Sequence, residues 1–131
     1  MKKIISTNSA PQAIGPYSQA VEYNNLIFCS GQIALDPKSG EMVEGGIENE
    51  TKRVMENLKA VVDASGSGMD KVLKTTIYLT DLSNFKIVNE IYGSYFTENP
   101  PARATVEVKS LPKGAQVEIE MVCFKQRNSV K

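Results

Sequence analysis

Two short runs constrain the fold of this chain more than anything else in it. "LIFC", residues 26–29, and "MVCF", residues 121–124, are apolar at every position. A strand sends successive side chains to opposite faces, so each run offers apolar groups to both sides of a sheet. Strands of that kind are usually buried on both sides. Only two other segments have the spacing of a covering helix. From Gly46 to Ala64, the apolar positions Ile47, Val54, Met55, Leu58, Val61 and Val62 recur with helical period. Gly66 and Gly68 fit a stop after them. After Asp81 or Ser83, either of which can cap a helix, Val88, Ile91, Tyr92 and Tyr95 share one face. Two helices cover one face of a sheet and leave the other open. In a chain of 131 residues the second cover is expected to be another copy of itself, in a number the pattern does not give.

The remaining segments read as strands. "MKKIISTNSAP" lacks the apolar stretch of a secretory signal and reads as a first strand followed by a loop. "YSQAVEY", 17–23, and "LIFCSGQIAL", 26–35, flank Asn24-Asn25, a hairpin signal. "KVLKTTIYLT", 71–80, is β-branched, and Pro100-Pro101 lie beyond the second helix. In "PPARATVEV", 100–108, Ala104, Val106 and Val108 alternate with Arg103, Thr105 and Glu107, the signature of a half-buried strand. "LPKGA" turns the chain into the last strand, "QVEIEMVCF". The order β-β-β-α-β-α-β-β predicts an α+β fold, a mixed sheet with two helices packed on one face. The length fits one domain spanning 1–131.

Composition removes whole classes of chemistry. Fifteen basic residues balance fifteen acidic ones, so no nucleic-acid partner is expected. No apolar run approaches the roughly 20 residues of a membrane span. The chain has no histidine, which excludes Ser-His-Asp and Cys-His catalysis and imidazole-based zinc sites. Two cysteines are too few for an all-thiolate zinc site, and no phosphate-binding glycine loop is present. Cys29 and Cys123 sit in apolar runs and read as buried free thiols, which points to a cytoplasmic home. Carboxylate, guanidinium, hydroxyl and backbone groups remain. Ala102 and Ala104 leave room beside Arg103, whose guanidinium can fork onto one carboxylate or phosphate. Its spacing is equally compatible with an internal salt bridge to Glu107 or Glu118. Glu118 and Glu120 share one strand face, opposite Val117 and Ile119. Gly31 interrupts an apolar strand, which marks a bulge or a close backbone approach.

Three stretches carry a family resemblance. "PARATVEVKSLPKGAQVEIEM", 101–121, is similar to the C-terminal signature of the Rid family, the reactive intermediate deaminases also called YjgF proteins. "APQAIGPYSQAV", 10–21, resembles the family's N-terminal segment, and "SGQI", 30–33, its second-strand segment. The set Tyr17, Ser30, Gly31, Arg103 and Glu118 resembles the RidA subgroup. The resemblance implies a chorismate-mutase-like sheet assembled as a homotrimer with clefts between subunits. It also implies hydrolysis, with no metal and no cofactor, of 2-imino acids, 2-iminopropanoate and 2-iminobutanoate, to 2-oxo acids and ammonia.

Carried over residue by residue, the resemblance makes Arg103 the clamp for the substrate carboxylate. Glu118 becomes the catalytic carboxylate that positions water and moves protons. Tyr17, Ser30, Gly31 and Thr105 line the substrate site; Phe85, early in the second helix, is either a further wall of that pocket or part of the core. Thr105 departs from the family, in which a cysteine is common two residues after the arginine. A nucleophilic thiol at that position is therefore excluded here. Cys29 is no substitute, because alternation points it away from the face that Ser30 shares. Two other readings compete with the enzyme: a regulatory trimer that binds a small metabolite without turnover, and a ribonuclease that inhibits translation. The second needs a basic, aromatic surface that the composition does not offer.

Overall fold

The computed structural model describes residues 1–126. Six strands and two helices follow the predicted order: β1 (Lys3–Ile5), β2 (Ala20–Tyr23), β3 (Leu26–Gln32), α1 (Gly46–Ala64), β4 (Val72–Leu79), α2 (Phe85–Gly93), β5 (Ala102–Glu107) and β6 (Val117–Phe124). The strands form one sheet in the order β1-β2-β3-β6-β4-β5. Neighbours are antiparallel except β4 and β5, which run parallel with α2 as their crossover. The hairpin between β2 and β3 turns on Asn24 (φ 50°) and Asn25 (φ 65°). Two successive left-handed residues give the turn a twist that matches the strands, and asparagine tolerates that conformation best after glycine.

Both helices lie on the same face. Ile27 and Cys29 of β3, Ile77 and Leu79 of β4, and Val117, Ile119, Met121 and Cys123 of β6 point under them. Val54, Met55, Leu58, Val61 and Val62 of α1 and Val88 and Tyr92 of α2 close the core from above. Fully burying each large aliphatic side chain there contributes about 1.5–3 kcal/mol. Among the described residues nothing covers the opposite face. Phe28 is 48% exposed and Val106 41%, and Leu26, on the same face of β3 as Phe28, is exposed too.

One expectation about β5 is reversed. Alternation suggested that Ala104, Val106 and Val108 face a core. Instead Arg103 and Thr105 share the helix-covered face with Thr75 and Ile77, their partners on β4. Ala104 and Val106 lie on the open face with Thr76 and Tyr78. The reason is position: β5 is an edge strand, and α2 lies over its polar side.

Candidate active site

The first cleft forms where β3 is irregular. Cys29 pairs with Met121 and Gln32 with Ile119, so β3 carries one residue more than β6 between those pairs. That extra residue makes the Ser30-Gly31 bulge, which turns the strand locally. Ser30 anchors it, with its N–H donating to the Gln19 carbonyl (2.9 Å) and its Oγ to the Ser18 carbonyl (2.6 Å). Gln19, itself buried, ties down the preceding loop. Its Oε1 accepts from Thr7 N (2.7 Å), and its Nε2 donates to Pro11 O (2.7 Å). That loop carries Tyr17, half exposed, whose hydroxyl accepts from Ile14 N (3.3 Å).

Tyr17, Ser30, Gly31 and Glu118 line one cleft of about 470 Å³ with Ile33 and Lys113. Asn57 of α1 supports its wall by donating to the Leu35 carbonyl (2.9 Å) and the Ile33 carbonyl (3.3 Å). Glu118 lies directly over Gly31. A Cβ at position 31 would collide with its carboxylate oxygen and stand 3.0 Å from its Cδ. Burial, and after it the charge of Glu120, push the Glu118 carboxyl above the usual carboxylate range. Glu120 is itself occupied, accepting from Tyr78 Oη at 2.9 Å. Tyr78 sits opposite Glu118 in the ladder.

The second cleft belongs to Arg103. It measures about 430 Å³ and is walled by Asn89, Tyr92, Phe96 and Pro101. The guanidinium lies over the rings of Phe85 and Tyr92, and its Nη1 donates to Asn89 Oδ1 at 2.6 Å. The internal salt bridge that the sequence allowed is not formed. Glu107 instead accepts from Leu82 N (2.9 Å), and Glu118 is on the other face. Thr105 lies on the Arg103 side, and its buried Oγ1 has no hydrogen-bond partner among the described residues.

Within one chain the two clefts are apart. Glu118, Tyr78 and Val106 form one row across β6, β4 and β5, and Arg103 lies three residues back along β5. Strand spacing and rise place the Glu118 and Arg103 backbones roughly 14 Å apart, with side chains on opposite faces. Tyr17, Ser30, Gly31 and Glu118 thus gather at one place, and Arg103, Thr105 and Phe85 at another.

Cys29 faces the helices beside Cys123, and both are free buried thiols. Hydrogen bonding to Cys123 and burial push the Cys29 thiol far above its ordinary range, which leaves it unreactive. Among the described residues no three His, Cys, Asp or Glu side chains are grouped to hold a metal ion. Sequence reasoning missed Asn89 and Lys113 and assigned Tyr92 only to a helix face. The cue for Asn89 was its helical spacing from Phe85 and Tyr92.

Comparison with known proteins agrees with the fold. A family model described as Endoribonuclease L-PSP matches residues 7–124. The 2-iminobutanoate/2-iminopropanoate deaminase of Mus musculus is 48% identical, covering 93% of this chain and 90% of its own. The enzyme of the same name from Homo sapiens is 48% identical, with 95% and 90% covered. Among solved structures, a protein of the conserved Rid family from Yersinia pestis superposes with a TM-score of 0.93 at 48% identity, covering 95% of this chain and 99% of that one. The structure of E. coli TdcF with bound serine gives 0.90 at 38% identity, with 95% and 99% covered.

Proposed function

Because the chain belongs to the Rid (YjgF-type) family, we propose that it is a 2-iminobutanoate/2-iminopropanoate deaminase, hydrolysing small 2-imino acids to the 2-oxo acid and ammonia. The observation that carries this reading is the Glu118 carboxyl, held over a glycine bulge in a cleft and pushed by burial above the usual carboxylate range. The likeness to two deaminases over most of their length supports it.

The chemistry needs little machinery. Arg103 binds the substrate carboxylate as a fork and fixes the plane of the C=N bond. Glu118 orients a water on the imine carbon. As water adds to the protonated imine, one of its protons passes to the Glu118 carboxylate, and the product is a neutral carbinolamine. Glu118 then returns the proton to nitrogen and, as the C–N bond breaks, takes the hydroxyl proton so that the C=O forms; that proton leaves with the ammonia as ammonium. A carboxyl whose pKa is raised by burial suits both steps, because it is a stronger base than an ordinary carboxylate and still an acid. The backbone at Gly31 lines the cleft beside that water, and Tyr17 closes it. Thr105, with an unused hydroxyl, completes the lining on the Arg103 side.

A second copy supplies the missing half. The roughly 14 Å between Arg103 and Glu118 is too far for one small imino acid within one chain. The uncovered apolar face with Phe28 and Val106 supports self-association. Three copies, the family's assembly, would bring one copy's Arg103 to its neighbour's Glu118. The buried free thiols fit a cytoplasmic setting.

The test is imine scavenging. A threonine dehydratase generates 2-iminobutanoate, semicarbazide traps it, and semicarbazone formation is followed with and without this protein. A serine dehydratase supplies the smaller imine. Wild type suppresses trapping, whereas Arg103→Ala and Glu118→Ala do not. If wild type affects neither imine, the protein binds small metabolites without turnover.

A further inference from the structure

The Arg103 guanidinium is held but not neutralised. Its Cζ lies 5.4 Å from the Phe85 ring centroid and 5.2 Å from that of Tyr92, both within cation–π reach. Asn89 Oδ1 accepts from Nη1 at 2.6 Å. Residues 85, 89 and 92 recur every three to four positions, so one face of α2 presents all of them. Tyr92 is fixed in its turn: it is 4% exposed, and its hydroxyl is hydrogen-bonded to Thr75 Oγ1 at 2.7 Å. Thr75 is the ladder partner of Arg103 itself. Every group that touches the guanidinium is uncharged, and among the described residues no carboxylate lies within ion-pair distance. A structural arginine at an edge strand would find a carboxylate or extend into water. This one is oriented by rings and an amide while its charge is left unspent.

We propose that Asn89 and Tyr92, the latter braced by Thr75, are positioning residues that fix the plane of the Arg103 guanidinium and leave one edge of its donors free for an incoming carboxylate. The inference rests on the reading of Arg103 as the substrate clamp and deepens it. Bidentate recognition demands coplanarity. A guanidinium free to rotate would bind a carboxylate with the same charge and less order. The aromatic and amide contacts thus bias the cleft toward planar anions.

Two measurements test this. First, the Nη signals of Arg103 are observed by ¹⁵N NMR at low temperature and assigned by their loss in Arg103→Lys. Hindered rotation keeps them separate in wild type, and they coalesce in Asn89→Ala. Equal averaging in wild type and Asn89→Ala overturns the proposal. Second, 2-oxobutanoate affinity is measured by calorimetry in a double-mutant cycle. Asn89→Ala weakens binding about tenfold beside Arg103 and less than about twofold beside Arg103→Lys. Tyr92→Phe, which keeps the ring and loses the bond to Thr75, weakens it about threefold with the same dependence on Arg103. Losses of equal size in both backgrounds mark a merely structural defect in α2 and overturn the proposal. Separate Nη signals in a wild type that binds no 2-oxobutanoate would sink the clamp reading and leave the positioning intact.

Discussion

Glu118 lies over Gly31, close enough that a methyl group at position 31 would occupy the place of its carboxylate. The contact joins a β-bulge to the one acid in the cleft whose pKa is pushed up. Gly31 has no positive φ, so its backbone would accept alanine without strain. Gly31→Ala therefore reads the site and not the fold. It should lower imine hydrolysis by about 100-fold or more, since small misplacements of a catalytic group cost about that much. Its melting temperature should stay within a few degrees of wild type, because the displaced group is the end of a flexible side chain. Full activity in this variant would mean that Glu118 works from another position or not at all.

Glu118 and Glu120 share a strand face, and the charge of Glu120 is the second cause of the raised Glu118 pKa. Glu120→Gln removes that charge and keeps the shape. Burial still acts, so the Glu118 titration should move down toward the ordinary carboxylate range without reaching it. The acidic limb of the pH–rate profile for imine hydrolysis should move the same way. A limb that does not shift would assign it to a different group.

How far the sequence carries depends on whether a residue's surroundings are local. Helix α1 was legible to its ends, Gly46 and Ala64, because its six apolar positions repeat with the helical period and Gly66 follows. The Asn24-Asn25 turn and the Gly31 irregularity were legible because backbone conformation leaves its mark on residue type. The side of β5 that faces the core was not. Its polar and apolar faces are both plain, but which one α2 covers is decided by a parallel pairing with β4 and a crossover. The buried polar residues Gln19, Glu50 and Asn57 were equally hidden. Glu50 accepts from both the backbone and side-chain N–H groups of Gln116, 66 residues away. No spacing rule reports such a partner. Glu118 and Arg103 were singled out in the sequence, but their placement in separate clefts on opposite faces follows from strand order and register.

Raising an acid's pKa in the folded state carries a stability consequence. Glu118 holds its proton to higher pH in the native chain than in the unfolded one. Through that window the native state binds more protons, so stability falls as pH rises. Below it, both states are protonated and the effect vanishes. Glu118→Gln cannot ionise. It should be inactive, melt higher than wild type near neutral pH, and lose that advantage at acid pH below the unfolded carboxylate range. Thermal melts at the two pH values decide it. An advantage of the same size at both would trace to packing instead of ionisation.

Asn57 supports the cleft from behind by bonding two carbonyls of the 33–35 segment, with Arg53 Nε donating to its own Oδ1 at 3.0 Å. Asn57→Ala leaves the buried Leu35 carbonyl without its donor, while the Ile33 carbonyl keeps the N–H of Leu35, and should cost ~1–3 kcal/mol. Urea titration measures that cost as a fall in midpoint at unchanged slope. Imine hydrolysis at 25 °C should fall as well, because Ile33 and Leu35 line the Glu118 cleft. Loss of stability with full activity would show that this wall does not shape the site.

The separation of Arg103 from Glu118 yields the sharpest test of a shared site. Arg103→Ala and Glu118→Ala are each expected to be inactive. If each working site takes its arginine from one copy and its glutamate from a neighbour, unfolding the two variants together and refolding them as a mixture restores activity. In an equal mixture the arginine is intact at half of the sites and the glutamate at half. With random assembly, about a quarter of wild-type activity returns. If both residues acted within one chain, no mixed assembly would hold a complete pair, and the mixture would stay as inactive as its parts. Adding Phe28→Glu to both variants, which puts a charge on the uncovered apolar face, should abolish the restored activity and lower the mass seen by light scattering. Recovery that survives Phe28→Glu would place the shared interface elsewhere on the molecule.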